Sequence, residues 1–466
     1  MERDNLTQNK IIVLDFGGQG SHLVARRVRE MQVYSEILPA GTPRHSILAT
    51  EPLGIILVGE PAQNDVGQGA KLVSSLLNTA VPLLAIGNRL GQFVERNGGI
   101  LEKLSSAPPV EATGGQNRIV YGLESLPTAE DRLGQASLEH FVHGICGCQR
   151  TWTMAAFIET SIRDIQLEVG DAPVVCGLSG GVDSTVAAAL IYRAIGNQLH
   201  SIFVDNGFMR KHEVEEVTEI FQARFGGNFV AVDAGARFLR QVQGVTDPEE
   251  KRKRIGTEFI RVFEEEAAKV GHTEYLVQGT LYPDVVESGA GDGTLVKSHH
   301  NVGGLPEDMA LKLLEPLRWL FKDEVREVAQ ELGLPERLVW RQPFPGPGLA
   351  VRIIGEITPT KLSILREADF ILRDEIKQAG LHRDIWQYFA VLTDTKTVGV
   401  YEQQRTYGYM VGIRAVHSVD GMMASWVHLP YTVLEKISQR IMGEIRAVNR
   451  VVYDISSKPP ATIEWE

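Results

Sequence analysis

An α/β protein with more than one parallel sheet is what this 466-residue sequence predicts, and three observations carry the expectation. Short continuous apolar runs, the mark of strands buried on both faces, alternate with helix-period segments over the first 140 residues. A strand signal at Val174–Leu178 runs into a glycine turn and a long apolar helix ending near Ile195. The same alternation then continues to about residue 278, the order expected of a doubly wound, Rossmann-like sheet. At about 150 residues per domain the length suits three domains, each large enough for its own core.

The elements follow in order. Lys10–Phe16 reads as a strand closed by G-G-Q-G, and Ser21–Met31 as an amphipathic helix. Gly54–Val58 and Pro82–Ile86 read as further strands, the latter followed by a helix to Glu95. Met154, Phe157, Ile158, Ile162 and Ile165 recur at helical spacing and predict a helix packed on a sheet. Leu199–Val204, Phe229–Val232 and Tyr275–Gln278 continue the strands, and helices mix with strands from Ile364 onward. Prolines at 343, 345 and 347 fix an extended loop and mark a boundary. The expected division is 1–140, 141–340 and 341–466.

Composition excludes several classes. The formal charge of −12 argues against a nucleic-acid-coating protein, so a polyanionic substrate would need local cations or magnesium. Cys146, Cys148 and Cys176 are too few for a disulfide framework, and C-G-C alone is no structural zinc site. They read as buried thiols of a reducing compartment. The N-terminus carries no signal-peptide pattern and no apolar run approaches the about 18 residues a membrane helix needs. A cytoplasmic protein without membrane or nucleic-acid partners is expected.

The stretch around which the chain is organised is V-V-C-G-L-S-G-G-V-D-S, Val174–Ser184. Ser179, Gly180 and Gly181 expose backbone N–H groups, and Val182, Asp183 and Ser184 open a helix whose first amides and dipole favour an anion. No lysine follows the glycines, so it is not the Walker type. An ordinary strand–turn–helix with a capping Asp-Ser is the bland alternative. The S-G-G-x-D-S pattern resembles the pyrophosphatase loop (PP-loop) of enzymes that split ATP into AMP and pyrophosphate. That resemblance implies ATP as co-substrate, pyrophosphate held by the serines and amides, and magnesium held in part by Asp183. Asp205, in the D-N-G turn ending its strand, and Gln278 should lie beside the loop, since ligands sit at the C-terminal ends of such strands.

Two further stretches are dense in functional residue types. K-R-K-R-I-G at 251–256 could be a solvated helix face. Q-G-T-L-Y-P-D-V-V-E-S at 278–288, followed by G-A-G-D-G-T and K-S-H-H-N-V-G-G-L-P at 297–306, reads as a lid that carries Lys297. Adjacent His299 and His300 point apart in regular structure and do not suggest a metal. Together with E-P-L-R-W-L-F-K-D-E-V at 315–325 and the terminal K-P-P-A-T-I-E-W-E at 458–466, these stretches resemble GMP synthetases. The resemblance runs from end to end and is strongest from about residue 140. It implies a ligase of purine biosynthesis that adenylates the 2-oxo oxygen of XMP and then aminates that carbon with ammonia, giving GMP, AMP and pyrophosphate. Asp183 and Lys297 would be catalytic, with Asp323 assisting. Arg252, Gln387, Arg450, Lys458, Thr462, Ile463 and Glu464 would bind XMP, and an α+β C-terminal domain would form a homodimer. One departure stands out: the family's V-G-V-x-G-D-x-R-T-Y is V-G-V-Y-E-Q-Q-R-T-Y here, with Glu402-Gln403 for Gly-Asp.

The first third resembles the class I glutamine amidotransferase domain of the same family, through I-V-L-D-F-G and L-V-A-R-R-V-R-E. The nucleophile elbow, however, reads A-I-G-N-R-L-G, with Gly87 where the family has cysteine. The oxyanion loop reads Val58-Gly59-Glu60-Pro61, and the catalytic His and Glu fall on Ser125 and Pro127. A cysteine nucleophile needs its base and its oxyanion donors. The domain is therefore expected to be degenerate, and ammonia to be free or supplied by a separate glutaminase subunit. Alternatives are a family member redirected to another purine-like acceptor and a nucleotide-binding pseudoenzyme; the intact loop and tail argue against both.

Overall fold

A computed structural model describes residues 6–17, 20–61, 67–104, 119–127, 131–271, 273–287, 311–418, 421 and 423–466. The chain forms two compact units. The first takes residues up to Glu168 together with 281–287 and 319–331, and the second takes 169–280, 311–318 and 332–466.

The first unit is built on β1 (Lys10–Asp15), β2 (Tyr34–Pro39), β3 (Gly54–Val58), β4 (Leu83–Ile86), β5 (Ile100–Lys103) and β6 (Ile119–Leu123). All pair in parallel in the order β2-β1-β3-β4-β6-β5. Alternation along each strand explains the continuous apolar runs. Ile11, Val13 and Ile56 join one core with the helix Gly20–Glu30, while Ile12, Leu14, Ile55 and Leu57 join another with the helices Gln68–Leu76 and Asn88–Arg96. The strand β2 escapes sequence reading because Ser35 and Glu36 interrupt its apolar run. Ser35 is buried but satisfied by its bond to the Ala25 carbonyl (2.8 Å), and burial raises the Glu36 pKa, with Lys10 opposing.

Arg29, at the end of the first helix, is the polar centre of this unit. Its guanidinium lies 4.6–5.1 Å from the ring centres of Tyr34, Trp152, Tyr282 and Phe321. It pairs with Glu324 at 2.9 Å, and Glu324 also accepts from the Trp152 indole and the Phe321 amide. Four rings and a carboxylate make a buried cation tolerable. Burial pushes the Glu324 pKa up, and Arg29 opposes it.

The second unit carries a five-stranded parallel sheet of β7 (Val174–Leu178), β8 (Leu199–Asp205), β9 (Phe229–Asp233), β10 (Tyr275–Val277) and β11 (Lys312–Leu314), in the order β11-β10-β7-β8-β9. The order reverses between β7 and β10, so the loops leaving these two strands flank a crevice. The strand expectations at 174–178, 199–204, 229–232 and 275–278 agree to within a residue. The three-residue β11 was too short to signal itself.

A third sheet in the same unit joins the long hairpin β12 (Gln387–Tyr401) and β13 (Gln404–His417) to β14 (Ser425–Trp426) and a parallel β15 (Val448–Asp454). The helices Pro359–Gln378 and Tyr431–Glu444 share one apolar core with this sheet and with β7 and β8. Glu402 and Gln403, the departure noted in sequence, are the two-residue turn of the hairpin, with φ of 48° and 63°. Such a turn asks for left-handed backbone at both positions, which Asn-Gly adopts readily and Glu-Gln does not. Replacing the pair by Asn-Gly is expected to stabilise the protein by about 1 kcal/mol. The readout is a higher urea midpoint at unchanged slope; a midpoint that stays or falls would show an unstrained tip.

Candidate active site

The loop after β7 is held by its own hydroxyls. Gly180 is left-handed (φ 72°), and the helix Val182–Ile195 begins directly after Gly181. The Ser184 hydroxyl accepts from the Ser179 amide (3.3 Å) and lies 3.0 Å from the Ser179 hydroxyl. The Gly181 amide donates to Ser179 Oγ at 3.2 Å, and Thr185 Oγ1 donates to the Gly181 carbonyl at 2.7 Å. Ser179 is exposed, and Asp183 and Ser184 are half-buried in the first helical turn, while Val182 is buried and offers only its amide. A helix N-terminus with its dipole and two hydroxyls together form an anion cradle.

The neighbouring loops close on it. Gly279 packs so tightly on the Asp183–Ser184 backbone that a Cβ there would sit 3.2 Å from the Ser184 amide. Gln278 is tied through its amide to the Leu314 carbonyl (3.0 Å), and Thr280 to Glu315 (2.5 Å). The register Leu178↔Phe203 brings Asp205 to the same end of the sheet as the cradle. Its carboxylate accepts from the Gly207 amide at 2.8 Å, and burial raises its pKa, with that bond opposing. Sequence reasoning missed Arg341, whose guanidinium donates to the Gly180 carbonyl and to Glu213. Lys297 lies outside the described residues.

The expected acceptor-binding residues converge on the C-terminal segment. Glu464 takes a bidentate pair from Arg352 (3.0 and 2.8 Å) and a bond from Gln387 Nε2 (3.1 Å), which also donates to the Pro343 carbonyl. Arg414, fully buried, donates to the carbonyls of Ser456, Thr462 and Ile463 and pairs with Asp454 at 3.3 Å. Lys251, also fully buried, holds the Glu466 carboxylate and donates to the Ile353 carbonyl (2.7 Å); Arg252 donates to the Glu466 main-chain oxygen. The solvated-face reading of 251–254 thus holds for Lys253 and Arg254 and fails for Lys251. Lys458 donates to the Gly421 carbonyl at 2.8 Å, and Arg450 is exposed on β15; neither touches Glu464. Two buried donors beside this cluster, Arg352 Nη1 and Gln342 Nε2, lack a partner among the described residues.

In the first unit, Gly87 follows β4 with φ 105°, the backbone of a strand-to-helix elbow, and open space surrounds the position a Cβ would take. Ser125 is exposed and Pro127 buried. Arg89, two residues past Gly87, pairs with Glu60 of the oxyanion-type loop at 2.8 Å. Cys146 packs against Gly54, the first residue of β3, and so lies at the opposite end of the sheet from the elbow. Burial pushes the Cys146 thiol well above its usual range, and the Cys148 thiol up to about 11. Neither is poised to form a thiolate.

Comparison with known proteins converges on one family. Residues 12–119 match the class-I glutamine amidotransferase family, 154–254 the NAD synthase family, and 374–465 the GMP synthase C terminal domain. The chain is 50% identical to a glutamine-hydrolysing GMP synthase of Carboxydothermus hydrogenoformans over 98% of this chain and 100% of the relative. The chain belongs to the GMP synthase family. GMP synthases of Caldicellulosiruptor saccharolyticus (49% identical) and Clostridium perfringens (47%) match over 98% of this chain and 99% of each relative. The alignment to the first spans 508 positions against 466 residues here, so part of that GMP synthase has no counterpart in this chain.

The buried cations Arg352, Arg414 and Lys251 around the C-terminal segment were passed over by sequence reasoning. The faint signal was a basic residue inside an apolar run, as in A-V-R-I-I and G-I-R-A-V. Glu464→Ala leaves Arg352 uncompensated and is expected to cost about 3 kcal/mol in denaturant unfolding. Arg352→Met combined with Glu464→Met should recover most of that loss; equal losses in both variants would show that the pair itself is not the stabilising unit.

Proposed function

We propose that the chain catalyses the ATP-dependent conversion of XMP to GMP, using ammonia that it does not make itself. The 2-oxo oxygen of XMP attacks the α-phosphorus of ATP and pyrophosphate leaves. Ammonia then adds to the purine carbon, and AMP departs with the oxygen. The reading rests above all on one juxtaposition: the S-G-G-V-D-S cradle and the K-P-P-A-T-I-E-W-E segment fold into the same compact unit.

Each part has a physical task. The amides of Gly180 to Ser184 and the hydroxyls of Ser179 and Ser184 bind the departing pyrophosphate, with Asp205 and Gln278 at the same sheet end. Asp183 would hold magnesium carried by ATP, and the ion would neutralise pyrophosphate charge. Lys297 is assigned by resemblance to cover the phosphates. Arg352 Nη1 and Gln342 Nε2, buried donors without an acceptor among the described residues, suit the oxygens of an acceptor such as XMP, with Gln387, Thr462, Ile463 and Glu464 around it. Arg252, Arg450 and Lys458 supply cations for its phosphate. The apolar hairpin face of Val398, Val400 and Tyr407, exposed in the single chain, suits a homodimer contact. Among the described residues no helix is long and apolar enough to cross a membrane.

The relatives are named for glutamine hydrolysis. This chain keeps the elbow backbone at Gly87 but lacks its thiol, and Ser125 and Pro127 supply neither base nor acid. We therefore assign nitrogen supply to free ammonia or to a separate glutaminase subunit. Purified chain with ATP and XMP should make GMP from ammonium, while glutamine should give at least about 100-fold less. Gly87→Cys alone should not change that ratio, because no histidine base stands at 125. Equal rates with glutamine would overturn the assignment of nitrogen supply. No GMP from ammonium, with pyrophosphate released on another purine nucleotide, would overturn the acceptor.

A further inference from the structure

Arg341 is not among the residues that the family resemblance marks, yet it is joined to the cradle and, through Glu213 and Arg210, to the surroundings of Arg352 and Glu464. Its Nη1 donates to the carbonyl of Gly180, close enough that a side chain at Gly180 would meet the guanidinium at 2.8 Å. A peptide is planar, so fixing the Gly180 carbonyl fixes the direction of the Gly181 N–H on the other side of the same bond. That N–H donates to Ser179 Oγ at 3.2 Å, a hydroxyl of the cradle. Arg341 therefore orients the donor that holds a cradle hydroxyl, without itself contacting the ligand.

The other half of the guanidinium donates to Glu213, and both side chains are nearly buried (11% and 7% exposed). Glu213 also accepts from the Arg210 amide at 2.9 Å and lies 3.6 Å from its guanidinium. Arg210, buried, reaches Asp369 at 3.5 Å and stands 4.2 Å from the centre of the Phe344 ring. The same ring lies 5.2 Å from Arg352, the partner of Glu464. Arg341 is separated from Phe344 only by Gln342 and Pro343, and prolines at 343, 345 and 347 leave that segment little slack. A displacement of Phe344 or Arg352 is thus carried to Arg341 both through the chain and through a buried set of charges. Buried charges of this kind have few alternative partners, so they rearrange together.

We propose that Arg341 is a positioning residue for the pyrophosphate cradle, and that Glu213 and Arg210 make its placement depend on the pocket around Phe344, Arg352, Gln387 and Glu464. Filling the acceptor pocket then tightens the hold on pyrophosphate, and ATP cleavage is favoured once an acceptor is present. The inference rests on the reading of Ser179–Ser184 as that cradle.

The test is titration calorimetry of magnesium pyrophosphate into the full chain, with and without XMP. XMP is expected to tighten pyrophosphate binding by about 10-fold, within the usual span of coupling between two sites. Arg341→Gln and, separately, Glu213→Gln should reduce that effect to less than about 2-fold while leaving XMP affinity alone unchanged. Arg341→Lys should recover pyrophosphate affinity through its charge but not the coupling, a split that a purely structural role would not produce. An XMP effect absent from the parent chain, or retained in both Arg341→Gln and Glu213→Gln, overturns the proposal. Ser184→Ala is the separate control: unchanged pyrophosphate binding there would sink the cradle reading itself, whatever Arg341 does.

Discussion

A cation removed from water must find its counter-charge or its acceptors inside the protein, and this constraint organises the C-terminal half of the chain. Arg352, Arg414 and Lys251 are fully buried. What satisfies them is largely the last dozen residues: the Glu464 carboxylate, the carbonyls of Ser456, Thr462 and Ile463, and the Glu466 side chain. The helix Pro248–Val270, the short helical turn at Gly348–Arg352 and the strand β13 each contribute one of these cations. The terminal segment is thereby tied into the same unit that carries the cradle. Leaving such groups unpaired would cost several kcal/mol each, which opposes the entropy that a frayed end would recover.

The cradle was legible because its chemistry is local. Glycines, an Asp-Ser helix start and the preceding apolar strand all fall within eleven residues, and each acts on its neighbours. The inner strands were legible for a similar reason, since burial on both faces leaves an unbroken apolar run. Where a buried polar side chain is satisfied from afar the pattern fails: Ser35 hides β2 because its acceptor is Ala25 in the preceding helix. The partners of Arg352, Lys251 and Arg341 could not be read at all, because Glu464, Glu466 and Gly180 lie more than a hundred residues away. Sequence pattern reports what a residue is; tertiary pairing decides whether a lysine in a charged run is a solvated face or a buried anchor.

The first unit separates the demands of a fold from those of a reaction. Its six-stranded parallel sheet, the left-handed turn at Gly87 and the tight approach of Gly59 to the Gly17 carbonyl are all present. These features follow from backbone geometry and packing, which need no thiol at position 87. Glu60 and Arg89 pair across the two loops. An exposed pair of this kind contributes little to stability.

The four-ring box around Arg29 bears on what could be trimmed from this chain. Tyr282, Phe321 and Glu324 come from segments that follow Gln278-Gly279-Thr280 and Glu315 almost directly, yet they are enclosed by residues of the first unit. A gene shortened to begin at residue 169 would strand Glu324 without Arg29 and uncover Tyr282 and Phe321. Such a truncate would be expected to aggregate rather than survive as a minimal synthetase. Point substitution elsewhere in the first unit leaves that enclosure intact, whereas wholesale deletion does not.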